Sequence, residues 1–324
     1  MPPKGSKRIL AAASQATRAA DRREIGSLRD NRVRGRTLQK YQRAVSMFLA
    51  FNMFHGVCLA ADMDVLDQQL CIFLEALWAE GEPKGLAGDV LSGAGLLLNT
   101  RRVFPGAWRL FSVWNKLEVP HRVPPMSYST LAALIGICVS QERWGLGAAL
   151  LVSWHCILRT GELCGITCGA ITLGPGRTGV LELGWTKGAL RKGATESVKI
   201  EDPGVGWCIA FAIRRCGIKP GSLLMNMSAS DFRRWFDSAL VTLALKDSGL
   251  RPYSIRRGSA TSDFVRFENM SRTCERGRWS DVRTARIYIV AGKAALAEWI
   301  STAQSQALSQ PYIELARRWI LSAQ

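Results

Sequence analysis

From Arg36 onward, apolar residues recur at three- and four-residue steps. Leu38, Tyr41, Val45, Phe48 and Leu49 form one such series, and Leu66, Leu70, Phe73, Leu74 and Leu77 form the next. This spacing places each set on one face of a helix. The pattern predicts a third helix from Leu86 to Arg101 and a fourth from Ala107 to Lys116. Four short helices with few strand signals predict a small helical bundle over residues 36–118. Val119-Pro-His-Arg-Val-Pro-Pro125 then breaks the periodicity. Its three prolines predict a stiff, extended connector over residues 119–126 and a domain boundary there.

Helical spacing resumes over 128–140 and 144–158, and a new helix is predicted after Thr160, with Thr160 as its N-cap. Val180–Trp185 and Glu196–Ile200 alternate like short strands, joined as a hairpin by the Lys/Arg/Gly-rich turn Lys187–Gly193. Further helices are predicted at 204–215, 230–246, 254–267 and 280–290, the last with Ser280 as N-cap. A helical tail, Ala294–Gln324, is predicted to break at Pro311. In that tail Ile313, Leu315, Trp319 and Ile320 make a partly apolar face. It has two readings: packing on its own domain, or docking on a neighbouring protomer. The expected fold class is mainly α with a small antiparallel β-sheet, the second domain spanning 127–324. No internal repeat is visible.

Composition narrows the function classes. The 324 residues carry 43 Lys/Arg against 26 Asp/Glu, a net charge of +17, which points to a polyanionic partner. Ribosomal-type proteins are as basic but rarely carry 11 tryptophans. Residues 1–35 read as a basic flexible tail. It is a solvated, partly helical segment, an arm lying on phosphates or a nuclear-import patch, since residues 1–36 hold ten Lys/Arg and three Asp/Glu. No apolar run reaches the ~18 residues of a membrane-spanning helix, the nearest being Trp144–Leu158, a buried-helix candidate, and the N-terminus has no signal-peptide core. The nine cysteines contain no C-x-x-C pair and the three histidines are scattered, which argues against a zinc site and for free thiols.

Several residues carry chemistry. Arg159 ends one helix and precedes Thr160-Gly161-Glu162-Leu163. Alone it is either a surface arginine or a residue at a helix junction beside the core. Lys187 lies on the hairpin turn, where a lysine is either solvated or able to enter a groove, with Arg191 and Lys192 as rivals. Arg256 and Arg257 fall in the first turn of a helix, where the dipole favours acids. Two arginines there imply a compensating bound anion. Trp279 and Tyr288, nine residues apart, read singly as core aromatics.

The ordered series Arg159, Lys187, Arg256, Trp279, Tyr288 resembles the tyrosine recombinase (phage-integrase-like) family over roughly residues 36 to 290. Arg159-Thr-Gly-Glu162-Leu163 is similar to the family's first arginine motif, and Lys187 falls at its hairpin lysine. Arg256 with Ala260-Thr261 matches the second arginine of its His-x-x-Arg box. Trp279 takes the His/Trp position and Tyr288 that of the nucleophile. The hairpin and Ile200-Glu-Asp-Pro-Gly-Val-Gly resemble recombinases of eukaryotic mobile elements of the DIRS or Crypton kind. The resemblance implies an N-terminal helical core-binding domain clamping duplex DNA together with an integrase-like catalytic domain. It implies DNA cutting and rejoining through a 3′-phosphotyrosyl link without ATP or any cofactor, and a homotetramer on two double-stranded DNA sites. The expected location is intracellular and DNA-associated, in the nucleus if the source is eukaryotic. In this reading Glu162 orients Arg159 and Arg257 supports the site. Two departures stand out. Tyr253 occupies the family's histidine slot, and Arg257 stands where a second histidine is common. A phenol, with a pKa near ~10, is a poor general base at neutral pH. That departure keeps open a recombinase-derived DNA-binding protein that no longer cuts. A type IB topoisomerase-like relaxing enzyme shares the same chemistry, and a helical RNA- or chromatin-binding protein would share only the charge.

Overall fold

The computed structural model describes residues 15–25, 27–29, 31–98, 104–119, 122–186, 188–189, 193–289 and 302–323. The chain divides into two compact units, Met1–His121 and Arg122–Gln324. The fold is mostly helical with one small antiparallel sheet.

The first unit holds α1 (Gln15–Ile25), α2 (Gly35–Phe54), α3 (Met63–Ala79), α4 (Lys84–Leu97) and α5 (Pro105–Leu117). Leu66, Leu70, Phe73, Leu74 and Leu77 of α3 are all buried, packed with Phe48 of α2, Val90 and Leu91 of α4, and Trp114 of α5. Leu49, expected on the buried stripe of α2, is 44% exposed instead. Its place inside is taken by Ala44, one turn before Phe48. The buried carboxylate of Asp67 on α3 receives the amides of Gly106 (2.7 Å) and Ala107 (2.9 Å). These are orphan donors at the start of α5, where the helix dipole also favours an anion.

The second unit is built from α6 (Tyr128–Ser140), α7 (Trp144–His155), α8 (Thr160–Leu163), β1 (Ile171–Leu173), β2 (Gly179–Gly184) and β3 (Glu196–Ile200). These are followed by α9 (Pro203–Cys216), α10 (Ala229–Thr242), α11 (Ser254–Phe267), α12 (Met270–Gly277), α13 (Val282–Arg286) and α14 (Ala303–Ser322). The sheet order is β1-β2-β3, all antiparallel, with Leu181 opposite both Ile171 and Val198. The sequence predicts only two of these strands, since a three-residue strand is too short to show alternation. Helices α6 and α7 are buried on nearly every face and make the core against α9, α10 and α14.

Three predicted boundaries shift. Helix α7 stops at His155 rather than at residue 158, because Ile157 adopts φ +49° and turns the chain. Helix α10 ends at Thr242 rather than at 246, two residues before Ala244 at φ +53°. The helix predicted over 280–290 is the short α13, preceded by a separate α12 that the spacing did not predict.

The C-terminal helix runs unbroken through Pro311. A proline inside a helix costs ~3 kcal/mol, and burial of Ala316 and Trp319 against the unit offsets it. Of the two readings of its apolar face, the structure shows packing on the chain's own second unit, along α6. Gly136 of α6 lets the backbones approach: a Cβ there would collide with the main-chain carbonyl of Tyr312. Backbone cannot swing aside like a side chain, so Gly136→Ala is expected to cost about 1–3 kcal/mol. Urea unfolding reads the loss, and faster proteolysis within 303–323 locates it. A midpoint equal to wild type would show that the close contact is absent.

Candidate active site

Arg159 follows the turn that ends α7 and is itself the N-cap of α8, in place of Thr160. Its main-chain amide donates to Glu162 Oε2 (2.8 Å), and its guanidinium pairs with Glu162 Oε1 (2.6 Å). The Arg159 side chain is 34% exposed, whereas Glu162 is almost covered. Glu162 thus orients Arg159 from beneath and leaves the guanidinium open to solvent on its other side.

Arg256, in the first turn of α11, is 1% exposed. Nη1 donates to the carbonyl of Ile157, and Nη2 donates to that of Gly277 (2.8 Å). The second acceptor is a terminal carbonyl of α12, where orphan C=O groups and the negative dipole end attract a cation. That contact answers the unfavourable placement of an arginine at the start of α11. The guanidinium lies 4.6 Å from the centroid of the Trp279 ring and 5.4 Å from that of Tyr288. Burial, and then the like charges of Arg159 and Arg278, pull the Arg256 pKa down to about 10, so the group stays cationic at neutral pH.

Tyr288 sits in the turn after α13, which is capped by Asp281 rather than Ser280. Three contacts fix it. Its carbonyl accepts from Thr261 Oγ1 (3.1 Å), its ring lies 4.7 Å from that of Trp279, and its hydroxyl accepts from the Tyr253 hydroxyl (2.5 Å). Burial and the bond to Tyr288 push the Tyr253 pKa up, so Tyr253 holds its proton and acts as a donor.

The structure therefore brings Arg159, Glu162, Tyr253, Arg256, Trp279 and Tyr288 into one cluster. Arg257, beside Arg256, is also buried. Lys187 and its rivals Arg191 and Lys192 lie outside the described residues. The residue before Lys187, Thr186, is anchored: its hydroxyl donates to Glu196 Oε2 (2.5 Å).

Arg278 joins the site without any prediction from the sequence. It stands at φ +58° at the end of α12, its side chain 6% exposed. It pairs with Glu162 (2.5 Å) and approaches Glu196 (3.7 Å), so one guanidinium joins the Arg159 support to the foot of the hairpin. Burial lowers its pKa, and Glu162 opposes that shift. No sequence signal marks it, because an arginine does not announce a left-handed backbone and its two carboxylate partners are distant in the chain. Among the described residues, no group of His, Cys, Asp and Glu is arranged to hold a metal, and no helix is long and apolar enough to cross a membrane.

No family model matches the sequence, and no curated protein does. Solved structures do match. The Tn1549 transposon integrase, solved in complex with transposon right-end DNA, superposes with a TM-score of 0.59 at 15% identity, covering 87% of this chain and 96% of that one. A lambda integrase dimer bound to a COC′ core site gives a TM-score of 0.53 at 15% identity, over 80% of this chain and 73% of that one. At these identities the likeness establishes architecture, and the architecture is that of the tyrosine recombinases and integrases.

Proposed function

We propose that the chain is a DNA strand-cleaving and rejoining enzyme of the site-specific recombinase or integrase type, with Tyr288 as nucleophile. The observation that carries this reading is the buried Arg256 guanidinium 5.4 Å from the Tyr288 ring, with Arg159 acting on Arg256 and on Tyr253, whose hydroxyl donates to that of Tyr288. Arg159 and Arg256 would take the non-bridging oxygens of one backbone phosphate, with planar donors suited to paired hydrogen bonds. Tyr288 Oη attacks phosphorus in line, and the bond from phosphorus to the 5′ oxygen breaks. The phenol proton passes from Tyr288 to solvent water, and the departing 5′ oxygen takes a proton, for which Lys187 is the assigned donor. The product is a 3′-phosphotyrosyl ester and a free 5′-hydroxyl, and attack by a 5′-hydroxyl reverses it. Because the ester keeps the bond energy, rejoining needs no nucleotide hydrolysis. Tyr253 donates to Tyr288 Oη and so supports negative charge there as the proton departs. Trp279 holds Arg256 and Tyr288 at fixed separation through its ring face. Residues 36–118 would contribute a second DNA contact, and strand exchange would require a tetramer on two duplexes.

The test uses duplexes that the protein selects from a random-sequence pool, nicked so that the cleaved end diffuses away. Wild-type protein should form an adduct that survives denaturing electrophoresis, and mass spectrometry of its peptides should place the phosphotyrosine at residue 288. Specific binding without any adduct would defeat the proposal. It would favour the second reading, a recombinase-derived binder, for which Tyr253 in the histidine slot is the supporting observation.

A further inference from the structure

Arg257 is 5% exposed, yet among the described residues its guanidinium makes no hydrogen bond or ion pair, and its Nε is wholly covered. An unpaired buried cation is costly unless a ligand compensates it. Its neighbour Arg256 differs, since both its Nη atoms meet carbonyls. The surroundings of Arg257 make the deficit worse. The extended segment from Arg122 to Met126 crosses the start of α11, where the Met126 amide donates to the Ser254 carbonyl (3.1 Å). Gly258 leaves room for that crossing, since a Cβ there would strike the Met126 carbonyl. The crossing brings in Arg122, an exposed residue with no partner of its own among the described residues, as a second cation acting on Arg257. Burial first and then Arg122 hold the Arg257 pKa down, and the other groups acting on it are Tyr253 and Tyr288. Two cations at one place, one of them buried, with no carboxylate between them, form a site missing its anion.

We infer that Arg122 and Arg257 together seat one phosphodiester of the DNA backbone, a second phosphate site beside the one assigned to Arg159 and Arg256. The inference rests on the reading that the chain binds duplex DNA, and it needs no cleavage. Arg257 supplies a rigid fork at the helix start, and Arg122 closes over the phosphate from the segment that enters the unit. Such a contact carries no base information; it sets the register of the strand relative to Tyr288.

The experiment measures binding of a random-sequence duplex against salt, in a Tyr288→Phe background so that no chemistry intervenes. Arg122→Gln, Arg257→Gln and the double variant are compared. Each neutralised phosphate contributes about 0.9 to the slope of log affinity against log salt, and losing one phosphate contact lowers that slope by about 1. Each single variant should lose up to about one unit, and the double variant no more than about one, because both side chains hold the same phosphate. Between 50 and 200 mM salt the double variant should then lose about fourfold less affinity than its parent. Arg257→Gln should also melt higher than its parent without DNA, by roughly 2–4 °C, since it removes an uncompensated buried charge. An unchanged slope with steep parental salt dependence would overturn the shared seat alone. So would a loss of about two units in the double variant, or a lower melting point for Arg257→Gln. If the parent fails to bind duplex DNA even at low salt, the DNA reading falls and the seat falls with it.

Discussion

Tyr288→Phe is expected to abolish the covalent protein–DNA adduct while leaving duplex binding unchanged. Phenylalanine keeps the ring that lies 4.7 Å from Trp279 and 5.4 Å from the Arg256 guanidinium, so the site keeps its shape. Only the attacking oxygen is lost, and no slower route replaces it. The one structural cost falls on Tyr253, whose hydroxyl loses its acceptor, a penalty of about 1–3 kcal/mol if no water replaces it. The neighbouring phenol makes the comparison demanding, since the two hydroxyl oxygens are 2.5 Å apart and both lie near the proposed phosphate. Tyr253 is the group held protonated by burial, which suits a donor and not a nucleophile. Tyr253→Phe should therefore still form adduct, slowed by roughly 10- to 150-fold if a hydrogen bond to a charged oxygen is worth about 1.5–3 kcal/mol. Single-turnover rates on the nicked duplex measure both variants. If Tyr253→Phe were the silent one and Tyr288→Phe the slow one, the two roles would have to be exchanged. Tyr253→His offers a third comparison: a gain in rate over wild type would mark Tyr253 as a weakened substitute for a histidine.

Much of the architecture is legible in the chain because it rests on local spacing. The stripe Leu66-Leu70-Phe73-Leu74-Leu77 predicts α3 and its buried face, and both are present. The strands Val180–Trp185 and Glu196–Ile200 coincide with β2 and β3 to within one residue at each end. What stayed hidden depends on groups far apart in sequence. Pro311 reads as a helix break until the packing of α14 along α6 is known. Arg278 reads as a surface residue until Glu162 and Glu196, 116 and 82 positions earlier, are seen beside it. Asp67 looks like an ordinary polar position on α3, yet it is buried because it caps α5 about 40 residues on. The candidate site lies between these extremes. The order of Arg159, Arg256, Trp279 and Tyr288 along the chain suggests a shared purpose, but only the fold shows that Arg256 faces both aromatics at once. The donation from Tyr253 to Tyr288 could not be read from spacing, since α11, α12 and α13 all lie between the two residues.

Arg256 is the residue on which fold and chemistry depend together, and two substitutions separate them. Arg256→Met deletes both Nη donors and leaves the carbonyls of Ile157 and Gly277 without those partners in a buried place. Each unpaired carbonyl costs about 1–3 kcal/mol, less whatever is regained by removing a partly unsatisfied buried cation. A lower urea midpoint and almost no adduct are expected. Arg256→Lys keeps one positive charge, and its ammonium can still reach a carbonyl, so folding should suffer less. It cannot bridge Ile157 and Gly277 while also presenting a planar edge to a phosphate, because its three donors radiate from a single atom. Loss of a preorganised donor at the transition state is worth about 3–4 kcal/mol, so the rate of adduct formation should fall by on the order of 100- to 1000-fold. Duplex affinity should fall far less, since many other phosphate contacts supply it. A lysine variant that folds and cleaves at the wild-type rate would remove Arg256 from the reacting phosphate and leave it a purely structural role between α7, α11 and α12.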